Sequence, residues 1–107
     1  MPTYARLVNR TEQGLRNASK MESMLADARK VWEARGVRVV SAFATLGAYD
    51  LVAIVEAPDD ATMARASALV AAQGNVRAQT CPAVPIQEFA QAAKRCLAGA
   101  PLPLDSR

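Results

Sequence analysis

Gly47, Tyr49 and Asp50 lie within four positions of one another in the stretch TLGAYDLVAIVEAPDD, Thr45 to Asp60. A phenol next to a carboxylate can hold a small polar molecule: the ring supplies an apolar wall, and the two oxygen-bearing groups fix orientation. Arg6 adds a planar guanidinium fork suited to carboxylates and phosphates, with Tyr4 two positions before it. Tyr4, Arg6, Gly47, Tyr49 and Asp50 are therefore the expected ligand-binding residues, for a small zwitterion or polar acid. A structural reading competes with this one. Gly47 would supply a positive φ in a hairpin turn, Asp50 would bond nearby backbone amides, and Tyr49 would cover the sheet edge. Arg6 would then make a rim salt bridge with a carboxylate such as Glu56.

Catalytic chemistry finds less support. The chain has no histidine, which removes the commonest general base and every Ser-His or Cys-His pairing. An exposed Pro2 amine could act as a base, but the tight β-α-β repeat of the tautomerases that use one is absent. Cys81 and Cys96 have no basic neighbour in sequence to lower their pKa and form no CxxC pair, so free, inert thiols are expected. Glu56, Asp59 and Asp60 could hold a hard cation, yet a capped helix start explains them more simply. No catalytic residue is assigned, and neither a metal nor a cofactor is expected.

The elements that must position these residues follow from patterning. The 107 residues, 51% hydrophobic and 21% charged, suit one globular domain with its own core. Thr3–Arg10 reads as a strand. Leu15, Ala18, Met21, Met24, Leu25, Ala28, Val31 and Trp32 form one stripe on a helix of about 20 residues. Thr11 is its N-cap, Gly14 an early weak point, and Gly36 its end. Val37–Leu46 and Leu51–Glu56 make a hairpin about the Gly47–Asp50 turn. Pro58-Asp59-Asp60 opens a second helix that stops at Gly74, and residues 75–83 form a fourth strand. Ile86, Phe89, Ala90, Ala93 and Leu97 mark a C-terminal helix, with residues 99–107 a loose tail.

The fold class is thus α+β, a ferredoxin-like β-α-β-β-α-β sandwich with an extra C-terminal helix, in a single domain over residues 3–98. The first and third strands are central. Leu51–Val55 is apolar on both faces, unlike a strand with one wet face. The second strand sets Val37, Val39 and Phe43 on one side and Val40, Ala42 and Leu46 on the other. A second copy of the sheet is the economical cover for the helix-free face, giving a homodimer or higher homo-oligomer of the dimeric α+β barrel type. In the first strand Ala5 and Leu7 suit the helix side, which aims Arg6 at the helix-free face.

The blocks YARLVNRTEQG, LGAYDLVAIVEAPDD, and GNVRAQTCPAV followed by EF resemble the GYD-domain family of small bacterial proteins. The resemblance runs from Thr3 to about Phe89 and implies the dimeric α+β barrel plan. The turn also resembles the effector-binding half of leucine-responsive regulators, in which a Gly-Asp turn sits near bound amino acids at subunit contacts. Gly47, Tyr49, Asp50, Gly74, Val76 and Thr80 match that pattern, and the helix-turn-helix half is missing.

Net charge is +3, but the basic residues are scattered and no basic stripe with interleaved aromatics appears, so a nucleic-acid partner is not expected. No apolar run reaches the length of a membrane helix, and the amino terminus lacks a signal-peptide pattern. Cytoplasmic location is the expectation. The leading functional expectation is a ligand-binding or regulatory module acting as a homo-oligomer. The alternatives are a cofactor-free enzyme of the dimeric barrel type and a purely structural, self-assembling subunit.

Overall fold

A computed structural model describes residues 1–99. The expected loose tail falls, beyond Gly99, outside the described residues. The chain runs through β1 (Thr3–Arg10), α1 (Glu12–Arg16), a 3-10 turn (Ala18–Lys20), α2 (Met21–Ala34), β2 (Arg38–Ala44), β3 (Leu51–Glu56), α3 (Asp60–Ala71), β4 (Val76–Ala83) and α4 (Ile86–Gly99). The four strands pair antiparallel in the order β2-β3-β1-β4. This is the ferredoxin-like α+β plan, with β1 and β3 central. Among the described residues, no helix is long and apolar enough to cross a membrane.

One face of the sheet builds the core. Tyr4, Ala53 and Val55 from the two central strands join Trp32 of α2, Val37, Ala57, and Met63 and Ala66 of α3. Trp32 ties the two helices together, its indole N–H donating to the Ala66 carbonyl at 3.0 Å inside the core. Asp59 caps α3 by accepting from the Thr62 amide at 2.7 Å, and that bond holds its carboxyl below the usual carboxylate range. Positive φ at Gly36, Gly47 and Gly74 agrees with the helix stops and the turn read from sequence. Cys81 and Cys96 are free.

The structure departs from the sequence reading in three places. The first helix is not continuous: it breaks at Asn17, whose φ of −96° and ψ of 19° lie outside the helical range. The break has a cause in tertiary contacts. Thr11 donates its amide to the Asn75 carbonyl at 3.0 Å and its hydroxyl to the Gly74 carbonyl at 2.6 Å, and Asn17 Nδ2 donates to Asn75 Oδ1 at 3.2 Å. These bonds pin α1 to the α3–β4 loop. The interruption also breaks the apolar stripe. Trp32 is buried and Met21, Met24 and Ala28 are half-buried, while Leu15, Leu25 and Val31 lie exposed.

The second departure is in β1. Tyr4, Arg6 and Val8 are the buried residues, and Ala5 and Leu7 are on the helix-free face. In a chain with five aromatic residues, Tyr4 and Val8 fill the core better than the small Ala5 can. Arg6 goes in with them because of the strand's two-residue period. The third departure is in β2. The register shifts between Val39 and Ser41, so Val39 pairs with Val55 on the helix face while Phe43 pairs with Val52 on the open face. A bulge adds one residue and switches the side of everything beyond it.

Candidate functional site

The β1 correction sets the site. Arg6 is 4% exposed, and Nη1 donates to Ser67 Oγ of α3 at 2.7 Å and to Thr80 Oγ1 of β4 at 2.9 Å. Its guanidinium carbon stands 4.8 Å from the centre of the Trp32 ring, close enough for a cation–π contact. Among the described residues no carboxylate forms an ion pair with it. Burial pushes the guanidinium below its usual range, although arginine stays charged in proteins. The sequence-based pairing with Glu56 does not form. Glu56 meets Arg38 at 3.5 Å, on the face opposite Arg6.

Tyr4, two residues earlier on the same face, donates its hydroxyl to Asp60 Oδ1 at the start of α3. That hydrogen bond, with burial and the charges of Asp60 and Asp59 added, pushes the phenol up to about 12. The folded pKa therefore exceeds that of the unfolded phenol, about 10. The stabilisation is complete below pH about 10 and is lost as pH rises toward about 12. Of the two tyrosines, one is expected to ionise near pH 12 in a native absorbance titration, and Tyr4→Phe should remove that step. A native titration finished by pH about 11 would contradict the Tyr4–Asp60 bond.

Between α3 and β4 these groups border a solvent-open cleft of about 370 Å³, lined in part by Tyr4, Asp60, Ser67 and Thr80. Asp60, Met63, Ala64 and Ser67 recur at helical spacing and present one side of α3 to the sheet. Ala64 and Ala78, both lining residues, are too small to fill the space.

Tyr49 and Asp50 are elsewhere. The Tyr49 hydroxyl donates to Gln79 Oε1 at 3.2 Å, and Gln79 pairs with Leu7 on the helix-free face. Asp50 Oδ2 accepts from the Arg10 amide at 2.8 Å and lies 3.6 Å from Arg10 Nε. The Asp50 amide donates to the Val8 carbonyl and to Asn9 Oδ1. Thr45 closes the loop, donating its hydroxyl to the Tyr49 carbonyl at 2.6 Å and its amide to the Asp50 carbonyl at 3.0 Å. Gly47 has a φ of +132° and open space around it. The structure thus sets Tyr4 on the wall of the cleft with Arg6 buried behind its Ser67 and Thr80, and holds Gly47, Tyr49 and Asp50 in a turn stitched to β1 and β4.

Ser67, and Asp60 as the partner of Tyr4, are the cleft residues that sequence reasoning missed. A signal existed. Tyr4 and Val8 bracket Arg6 at the strand period, so whichever face buries them must also receive the guanidinium. Asp59 and Asp60 divide their work, the first capping the helix and the second facing the cleft.

An antiparallel sheet backed by helices on one face, with a polar cleft between α3 and β4, defines a small ferredoxin-like α+β domain. Residues 4–93 match the model of the GYD domain, and the chain belongs to that family. It is similar to the glutamine synthetase and cystathionine beta-lyase binding protein of Thermus thermophilus. The two are 38% identical over 90 residues, which cover 83% of this chain and 95% of the relative. No solved structure gives a significant match.

Proposed function

We propose that this protein is a cytoplasmic, non-catalytic binding module that works as a homodimer and docks on other proteins, metabolic enzymes of the kind named for the Thermus relative. One observation supports the dimer: among the described residues two apolar surfaces have no partner. The first is the helix-free sheet face, where Leu7, Val52 and Ile54 are only half-buried and Phe43 is 59% exposed. The second is the stripe of α4, on which Ile86, Phe89 and Leu97 are exposed.

A twofold-related copy would cover both, because an isologous pair buries the same patches on each subunit. The area is sufficient. Strands of this length make a face of about 20 by 20 Å, and α4 adds a strip about 20 Å long. Together they project on the order of 600 Å² per copy, so the pair buries about 1,200 Å² in total, which a stable interface needs. A dimer also offers two equivalent docking surfaces to a multisubunit enzyme, which raises avidity without new contacts.

Light scattering of the purified protein at micromolar concentration should give at least twice the monomer mass. Interferometry against purified glutamine synthetase and cystathionine beta-lyase should give saturable binding to at least one. A monomer overturns the assembly, and no binding to either enzyme overturns the docking.

A further inference from the structure

We infer that the α3–β4 cleft is a site for a small zwitterion of the free amino-acid class, its anionic group on Ser67 and Thr80 and its ammonium on Asp60. Arg6 donates from one nitrogen to both hydroxyl oxygens. Each hydroxyl, having accepted, keeps its own proton to donate. Those hydroxyls lie 3.5 Å apart and have no other acceptor among the described residues, so a bond between them uses one proton and leaves the other free. The guanidinium behind them is 4% exposed and has no carboxylate partner among the described residues. A buried cation without a counter-ion polarises both hydroxyls and favours an anion at their open side.

The opposite end carries the complementary charge. Asp60 Oδ1 takes the Tyr4 hydroxyl, and Oδ2 has no hydrogen-bond partner among the described residues, so it is available to an ammonium group. Asp60 and Ser67 are seven residues apart on α3, roughly 10 Å along its axis. Tyr4 and Arg6 beneath them are two strand positions apart, roughly 7 Å. A lone inorganic anion would leave the Asp60 end empty. An α-amino acid, whose ammonium and carboxylate stand about 3 Å apart, bridges roughly 8 Å once a hydrogen bond of about 2.8 Å is added at each end, and the volume of about 370 Å³ sits at the low end of small-molecule sites.

The inference does not rest on the docking reading. The cleft is on the helix face and the proposed sheet-to-sheet contact on the opposite face, so each can fail alone. The full-length protein would be screened by thermal shift and calorimetry against the twenty common L-amino acids, with acetate, inorganic phosphate and N-acetylated amino acids as single-charge controls. At least one amino acid should raise the melting temperature and bind saturably. Asp60→Asn should weaken it by about tenfold or more while leaving acetate unaffected, and Ser67→Ala with Thr80→Val should weaken both. Light scattering of each variant should match the wild type. The inference is overturned if no amino acid binds, if acetate or phosphate binds as tightly as any amino acid, or if binding survives either the Asp60 or the Ser67/Thr80 changes.

Discussion

Ile54→Asp is expected to give a folded monomer, whereas Val55→Asp, one residue later, is expected to give no folded protein. The two positions are adjacent in β3 and face opposite sides. Val55 is fully buried and pairs with Tyr4 and Val39 inside the core cluster. A carboxylate there has no partner, and an uncompensated buried charge costs about 3–5 kcal/mol. That is a large part of the roughly 5–15 kcal/mol available to a small domain. Ile54 pairs with Ala5 and Ser41 on the helix-free face, where in the single chain a carboxylate reaches water at little cost. Between two packed sheets the same carboxylate would be buried and unpaired, so the loss falls on assembly. Circular dichroism and light scattering together separate the cases. A native spectrum with monomer mass for Ile54→Asp supports the sheet-to-sheet contact. An unchanged dimer would place the contact elsewhere.

That contrast shows what the sequence made legible. The element order made the sheet plan legible, with β1 and β3 central. Side assignment was harder, because it depends on which residues win the core. Ala5 and Leu7 read as the buried pair by polarity, yet core volume favours Tyr4 and Val8, and Arg6 goes inward between them. Its burial is tolerable because Trp32, Ser67 and Thr80 meet it, and these come from three other elements that no local pattern links to β1. The β2 bulge was equally hidden: one extra residue moves Phe43 across the sheet without altering the alternation of the string. The turn was legible as backbone, since a glycine with positive φ is a local device, whereas the Asp50 carboxylate bonds the Arg10 amide on β1, a tertiary contact that the local pattern does not show. The cleft was not, because its polar groups converge only after α3 docks beside β4.

Gly14→Ala is expected to destabilise the protein, although helix propensity alone predicts the reverse. Gly14 lies within α1, where alanine is favoured over glycine by about 1 kcal/mol. Its environment opposes that gain. A Cβ built on Gly14 would lie 2.1 Å from the Asn75 carbonyl oxygen, 3.1 Å from its carbon and 3.3 Å from Arg10 Cβ. The nearest of these are backbone atoms, so no rotamer change relieves the clash. The carbonyl cannot retreat freely either, because it accepts the Thr11 amide at 3.0 Å. Separating α1 from the loop would also loosen the Asn17 and Gln13 bonds to Asn75 Oδ1. Overpacking of this kind costs typically 1–3 kcal/mol, and a lost backbone hydrogen bond about 1 kcal/mol more. Less the propensity gain, the net loss is about 1–3 kcal/mol, and each kcal/mol lowers the melting temperature by roughly 4–8 °C in a domain of this size. Calorimetry of the variant gives the sign directly. A melting temperature equal to the wild type or above it would mean that α1 stands clear of Asn75 in solution, and the tertiary cause assigned to the helix break at Asn17 would fall with it.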